Sequence, residues 1–365
     1  MVYADTPASQ DAYNRYYAAQ SSYQSPAGTG SATPVWDLER LAAAAKAIGR
    51  AVENAGKSKD VTICDIGCAN GGLLEALRRE GFSNLTGIDP SAICVANTQD
   101  LGFRAKVGDL SNLPGDNGEF DVVVLTAVME HVLDVRGATA AVARVCAADG
   151  IVFLEVPDAV EYENFLHAPF QDFNTEHINH FSRAALRNLM RQFGFTVVLE
   201  ESHTLPGAGG LRMASLFTGY ANTGASVAED WEHNESFRES IERYILASSI
   251  FLSSLDRQLR ETLPAGDVVV YGTGQLAMKL LKETVLGERR ITAFVDGNPV
   301  KAGQRFGGVP VVLPEDLRET AGGAAPILIT TLLHADGIRQ RIAGLGLPNP
   351  VFSLQVPAAS SPASV

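Results

Sequence analysis

From residue 61 onward, short apolar runs closed by Asp or Gly alternate with stretches of helical periodicity, and this alternation restricts the chain more than any other feature. Strand-like runs at 61–65, 85–89, 104–107, 122–125 and 150–156 are separated by helical patterns, of which 72–80 is one, after a first helix over 38–53. Strands spaced by helices imply βαβ units and a parallel sheet, an α/β fold. After Gly194, the run TVVLEESH, the turn-rich LPGAGG and the run LRMASLFTG read as a hairpin that closes a first domain. Ser226 and Glu229 form a capping-box pattern, and Phe237, Ile241, Tyr244, Ile245, Phe251, Leu252, Leu255 and Leu259 carry a long connecting helix through Arg260. A second, smaller Rossmann-like α/β unit begins at Asp267, with strands at VVVYG, ITAFVD, VPVVL and APILITT. The expected organisation is a leader over 1–35, a first domain over 36–222, the helix over 223–263, a second domain over 264–357 and a tail over 358–365.

The chain's 365 residues exceed an ordinary domain of roughly 100–200, in keeping with two units. No apolar run approaches the roughly 20 residues of a spanning helix, and the N-terminus has neither a basic cluster nor an apolar segment behind it. A soluble protein of the cytoplasm, without a membrane partner, is expected. Cys64, Cys68, Cys94 and Cys146 make neither a disulfide framework nor a CxxC zinc pair, so no metal is expected. With 29 Lys and Arg against 42 Asp and Glu, the net charge of −13 disfavours a nucleic-acid partner. Residues 266–365 carry 9 basic and 8 acidic side chains, so the acidic excess lies wholly in the first 265. Tyr3, Tyr13, Tyr16, Tyr17 and Tyr23 all fall in a leader otherwise rich in Ser, Ala, Gly and Pro. Aromatic rings need a surface to pack on, so the leader reads as a segment folding over a ligand, with Tyr16, Tyr17 and Tyr23 as substrate contacts, or as a frayed tail.

The loop Asp65-Ile66-Gly67-Cys68-Ala69-Asn70-Gly71-Gly72 joins a strand to a helix start, where small residues let a ligand approach free backbone N–H groups. Gly67, Ala69 and Gly72 also fit a relaxed dinucleotide pattern. Asp65, Asp89 and Asp109 close successive strands at spacings of 24 and 20 residues. This arrangement resembles the class I S-adenosylmethionine-dependent methyltransferases, which implies a Rossmann-like seven-stranded domain and S-adenosyl-L-methionine as cofactor. The resemblance implies Asp65 beside the amino-acid end, with Gly67, Cys68, Ala69 and Gly71 in the loop, Asp89 and Pro90 at the ribose, and Asp109 and Leu110 at the adenine. It continues through Phe120-Asp121-Val122-Val123 and Val128-Met129-Glu130-His131-Val132, placing Met129 and His131 on the cofactor pocket wall, and covers about 60–220. Ala69 stands where the family usually has glycine. A carboxylate suits a cationic sulfonium with an ammonium group, whereas a pyrophosphate would be repelled by Asp65.

Between the fifth strand and the next helix lies Asn174-Thr175-Glu176-His177-Ile178-Asn179-His180-Phe181-Ser182, and loops at the carboxyl ends of parallel strands are where such folds hold substrates. An imidazole beside a carboxylate can take a proton near neutral pH, which makes His177, Glu176, His180 and Asn174 the catalytic candidates. The plainer reading has His177 packing the following helix behind Ser182 as N-cap. The segment resembles the E-H-x-x-x-F-S motif of deoxysugar C-methyltransferases, which implies His177 as base, Glu176 as companion acid and a nucleotide-linked keto sugar as acceptor. Gly209-Gly210-Leu211-Arg212 resembles that group's G-G-S-x-R turn without the serine. A tyrosine expected at 174 is Asn, and the group's cysteine-rich zinc module is missing. His203 and Arg212 are further candidates to touch the acceptor, although a turn histidine is more simply an exposed one.

In the second unit, Gly272-Thr273-Gly274-Gln275-Leu276-Ala277 follows a strand and opens a helix, with Asp296 22 residues beyond Gly274. Gly272 and Gly274 are therefore candidate substrate contacts, for a nucleotide diphosphate, or else part of a scaffold that holds no ligand, and Asp296 keeps a nicotinamide-binding reading open. Methyl transfer to carbon of a keto sugar, methyl transfer to oxygen or nitrogen of another natural product, an NAD-dependent oxidoreductase and a non-catalytic binding protein are the readings that the sequence supports. Monomer and homodimer stay equally open.

Overall fold

A computed structural model describes residues 2–4, 6, 8–10, 12, 13, 15, 35–207, 211–224, 231–320 and 325–356. Tyr16, Tyr17, Tyr23, Gly209, Gly210, Ser226, Glu229 and the tail at 358–365 lie outside them. In the first unit the elements are β1 (Val2–Tyr3), α1 (Val35–Asn54), β2 (Thr62–Ile66), α2 (Gly72–Arg79), β3 (Asn84–Asp89), α3 (Ala92–Asp100), β4 (Arg104–Val107) and β5 (Phe120–Thr126). They continue with α4 (Val135–Val145), β6 (Cys146–Pro157), β7 (Asn179–His180), α5 (Arg183–Arg191), β8 (Phe195–Pro206) and β9 (Arg212–Asn222). Among the described residues a seven-stranded sheet runs β4-β3-β2-β5-β6-β9-β8. It is parallel from β4 to β6, and β9 and β8 return antiparallel.

Continuous apolar strands are what a sheet covered on both faces requires, because successive side chains point to opposite sides. Ile63, Val122, Val124, Ile151 and Phe153 pack with α1 and α2, while Cys64, Val123, Leu125, Val152 and Leu154 pack with α4 and α5. Ala44, Ala45, Ala47 and Ala51 make the buried face of α1 thin. The helix thereby comes so close to the sheet that a Cβ on Gly219 of β9 would lie 2.9 Å from the Ala51 methyl. Side-chain caps start the helices beyond the strands: Ser91 accepts the Cys94 N–H, Asp134 that of Gly137 and Ser182 that of Ala185.

The second unit holds a six-stranded sheet in the order β12-β13-β11-β10-β14-β15 among the described residues. Its strands are β10 (Asp267–Tyr271), β11 (Arg290–Val295), β12 (Arg305–Phe306), β13 (Val309–Val312), β14 (Ile327–Ile329) and β15 (Val351–Ser353), with α7 (Gln275–Glu283), α8 (Leu317–Thr320) and α9 (Ala335–Gly344). The long helix α6 is Glu235–Thr262, and the chain passes from one unit to the other within it. Two departures from the sequence pattern stand out. β6 begins at Cys146 rather than Gly150, because the strand pairs back to Phe120 across a register shift. The second unit also takes in Glu163–Asn174, which the chain places in the middle of the first. No described helix is long and apolar enough to cross a membrane.

Gly67, at φ 80°, sits where β2 turns into α2, and a Cβ there would stand 2.6 Å from Val128 Cγ2 on a stiff β-branched side chain. Gly56, at φ 71°, has open space around the same atom. Gly56→Ala should therefore cost only the left-handed backbone term of about 1–2 kcal/mol, and Gly67→Ala about 1–3 kcal/mol more. Urea denaturation of the two variants measures the difference, and equal costs would show that the loop yields freely.

Candidate active site

The turn after β2 is bound to the end of β3 by main-chain contacts, since the N–H groups of Gly67 and Cys68 both donate to Ile88 O, at 2.7 and 3.1 Å. Asp89 completes the junction, accepting from Ala69 N at 2.9 Å and Ser91 N at 2.8 Å. Ala69 itself lies at φ 44°, a left-handed conformation that glycine would adopt without strain. Asp65, 1% exposed, has its Oδ1 without a hydrogen-bond partner. Burial, reinforced by Asp89 and opposed by Arg40, raises the Asp65 carboxyl to about 7. Burial also raises that of Asp89, against its two backbone N–H donors. Cys68 is a buried thiol beneath the loop, and a Cβ on Gly87 would come within 2.6 Å of its sulfur. Asp109 closes its turn by accepting the N–H groups of Ser111 and Asn112, with Leu110 between them packed against the core below β5. Pro90 is half-buried directly after Asp89.

A second cluster forms where the single helical turn Met129–His131 after β5 meets the segment 176–180. Ile178 N donates to Glu130 O at 2.7 Å, and Asn179 Nδ2 donates to Met129 O at 3.2 Å and Val132 O at 2.5 Å. His131 Nδ1 meets Glu176 O at 2.9 Å. A carbonyl only accepts, so Nδ1 carries a hydrogen. The rings of His131 and His177 meet edge-on at 5.0 Å. Glu130 is 1% exposed, and its Oε2 has no hydrogen-bond partner. Burial raises the Glu130 carboxyl, partly offset by His131. Burial lowers His177 to about 3, with His131 and His180 adding to the effect, so the imidazole is neutral at physiological pH. Possible ligand atoms of Glu130, His131 and His177 all lie within 4.8 Å of one another, the one such group found among the described residues. Where the sequence offered no metal ligands, these three side chains have the donor set of a two-histidine, one-carboxylate cation site.

The other sequence candidates fall elsewhere. His180 is buried in β7, its Nδ1 3.1 Å from the Tyr162 hydroxyl, and burial lowers it to about 4. It is a core histidine with a hydroxyl partner. Asn174 belongs to the second unit, where its Nδ2 donates to Gln171 O at 3.4 Å. His203 is not an exposed turn residue: it lies within β8, its ring 4.9 Å from Phe217 and its Nε2 2.8 Å from Glu201, which Arg50 also holds. Arg212 opens β9 and donates to Thr204 O. Of the leader, Val2 and Tyr3 pair with His180 and Asn179, Tyr13 donates its hydroxyl to Thr175 O at 3.1 Å, and Gln10 Oε1 accepts from Leu133 N at 3.1 Å. In the second unit, Gly272 has φ 110° and Gly274 precedes α7. Asp296 accepts from Asn298 N, Thr273 and Lys301, so both its oxygens are engaged.

The strand order, the glycine turn with three acids at strand ends and the paired loops after β5 and β6 meet one outcome in comparison with known proteins: residues 36–200 match the family described as a methyltransferase domain. These residues form a class I, S-adenosylmethionine-dependent methyltransferase domain. C-methyltransferase NovU of Streptomyces niveus is 25% identical over 286 residues, 74% of this chain and 66% of that protein. Ubiquinone biosynthesis O-methyltransferase of Cronobacter sakazakii is 31% identical over 113 residues, 29% of this chain and 46% of that protein. The chain thus spans less than two thirds of the length of these curated relatives. A solved methyltransferase of Methanosarcina mazei superposes with a TM-score of 0.39 at 20% identity, covering 45% of this chain and 93% of that one. The buried Asp65 Oδ1, which has no hydrogen-bond partner among the described residues, is chemically suited to a cationic group such as the one S-adenosylmethionine carries.

Sequence patterns missed Glu130 as a chemical group, Asn179 as the clamp and Arg40, whose Nε and Nη1 reach Asp37 and Glu155, each at 2.6 Å. The only signal for Asn179 was its place between two histidines.

If Asp65 takes the cofactor's ammonium group, it does so as a carboxylate, and cofactor affinity should fall as pH drops below about 7. In the limit the fall is about tenfold per pH unit. Calorimetric titration with S-adenosylmethionine between pH 5.5 and 8 should show this slope in the wild type and its loss in Asp65→Asn. A flat wild-type profile would remove Asp65 from the ammonium site.

Proposed function

We propose that the chain transfers the methyl group of S-adenosylmethionine to the carbon next to the carbonyl of a nucleotide-linked keto sugar. The observation that carries this reading is a neutral imidazole, His177, grouped with a buried carboxylate on a turn that touches the cofactor loop, since Val128 fills the space above Gly67. The likeness to NovU over 74% of the chain supports carbon as the methylated atom, because the O-methyltransferase relatives match only 25–40% of it.

The cofactor supplies an electrophilic methyl group on a positively charged sulfur. His177, neutral at physiological pH, takes the proton alpha to the carbonyl, and the enolate carbon left behind is the nucleophile. The imidazolium that results is offset by Glu130, whose carboxylate lies in the same cluster. His131, fixed by Glu176 O, walls this group and holds one tautomer. Orientation of methyl and carbon against each other supplies about 7–11 kcal/mol of the barrier reduction. A hydroxyl acceptor would use the same base and give an O-methyl product. For a nicotinamide cofactor the ribose-binding acid would be Asp296, and its engagement by Thr273, Asn298 and Lys301 weighs against that reading.

His177→Ala should lose about 10²–10⁴-fold in turnover, with S-adenosylmethionine affinity within threefold of wild type. In heavy water without cofactor, the wild type should exchange the alpha proton of the keto sugar and His177→Ala should not. Unchanged turnover in the variant, or a product methylated on oxygen, would sink the carbon-methylation reading.

A further inference from the structure

The stretch Glu163–Asn174 leads directly into the candidate catalytic segment, yet it packs as part of the second unit. Phe170 N donates to Ser248 Oγ at 3.1 Å and Asp172 N to Tyr244 Oη at 2.9 Å, both acceptors on α6. The Phe173 ring meets the Tyr244 ring edge-on at 5.1 Å, and Arg243 pairs with Glu163 at 2.9 Å. From α7, Lys279 Nζ donates to Pro169 O at 3.2 Å and to Phe170 O, with its ammonium 6.0 Å from the Phe170 ring. Inside the stretch, Gln171 Oε1 accepts from His167 N and Ala168 N, and Gln171 Nε2 donates to Phe165 O.

Resting on the transferase reading above, we infer that Lys279 is a positioning residue for the transfer reaction: with Tyr244 and Ser248 it fixes the strap 163–174, and the strap fixes the start of the catalytic segment through the unbroken chain from Asn174 to Thr175. Phe170 is held at φ 53°, and a non-glycine residue keeps that conformation only where its surroundings over-determine it. The two carbonyls that Lys279 binds flank that strained peptide. The position is costly for an ammonium: burial lowers Lys279 to about 8, against the opposing pull of Asp172. Asp172 has its Oδ2 shut off from solvent without a hydrogen-bond partner, and burial raises its carboxyl to about 7. A surface lysine would hold a loop at less cost. A half-buried one, beside a strained residue and an acid whose Oδ2 is shut off from solvent, marks a segment whose conformation matters.

The test compares Lys279→Met, which keeps the apolar stem, with Lys279→Arg in the full chain. Amide exchange of peptides from 163–174 should quicken at least tenfold in Lys279→Met. KM for the nucleotide-linked keto sugar should rise at least tenfold with kcat changed less than threefold, while calorimetric S-adenosylmethionine affinity stays within threefold. Lys279→Arg should restore most of the exchange protection and of KM. If Lys279→Met does not fold, Tyr244→Phe, which removes the acceptor of the Asp172 N–H and keeps the ring, should move both quantities in the same direction. Unchanged exchange in the strap, or faster exchange with unchanged KM, would overturn the inference. Failure of the transferase reading shows separately, as wild-type protein that binds no S-adenosylmethionine, and removes the positioning role along with it.

Discussion

Buried negative charge in excess of buried positive charge is the constraint on which the methyltransferase domain depends. Arg40 is the buried cation among its described residues, and it meets Asp37 and Glu155 directly while drawing down the carboxyls of Asp65 and Glu130 from further away. One guanidinium does not balance these acids. Burial consequently raises Asp65, Asp89, Glu130 and Glu155 together, and one oxygen each of Asp65 and Glu130 has no hydrogen-bond partner. An isolated buried carboxylate is costly unless it is protonated or paired. Such a domain suits a cationic ligand, and S-adenosylmethionine carries a sulfonium and an ammonium group. The acidic excess of the first 265 residues is the same bias at the scale of the sequence.

The second constraint is the satisfaction of main-chain carbonyls. A turn as tight as Met129–His131 leaves carbonyls without helical partners, and buried ones must find donors. Asn179 supplies two N–H bonds to Met129 and Val132 from one amide, and Ile178 supplies a third to Glu130. These bonds bring His177 to His131 and Glu130. β1 then adds to the far edge of β7, with Ala4 N donating to Ile178 O at 2.8 Å, so the leader binds the same short segment from outside. The backbone next to the candidate base is therefore held by main-chain carbonyls that need donors.

What the sequence made legible follows from which interactions are local. Strand runs such as 104–107, the helix start at Ser182 and the glycine turn after β2 are each decided within a few residues, and the alternation of these signals carries the α/β fold. The nearness of Asp65 and Asp89 was legible because both stand at the carboxyl ends of adjacent parallel strands. His180 and Asn174 stand three residues on either side of His177 and share its local pattern, but long-range packing separates them: one goes into the core against Tyr162, the other into the second unit. Glu130, Arg40 and Asn179 act across 25 to 115 residues of chain, as Arg40 with Glu155 shows, and no periodicity encodes that. The same applies to the strap 163–174, whose partners lie 72 to 110 residues away.

The two Rossmann-like units solve the same problem at the end of their second strand in opposite ways. In the first, Asp89 is held by two backbone N–H groups and meets no cation at hydrogen-bonding distance among the described residues, which suits it to hydroxyl or cationic groups of a ligand. In the second, Asp296 accepts from Thr273 and Lys301 as well as Asn298 N, and these bonds outweigh burial to hold its carboxyl below the usual range. Lys301 also donates to Thr273 Oγ1 at 3.0 Å, closing the triangle over the glycine turn. A ribose diol would have to displace a lysine and a threonine to reach Asp296, and would gain one charge-assisted contact for the two it broke. The first glycine loop is therefore kept short of positive charge and the second is balanced internally, so a cationic ligand belongs to the first by electrostatics and not by fold alone.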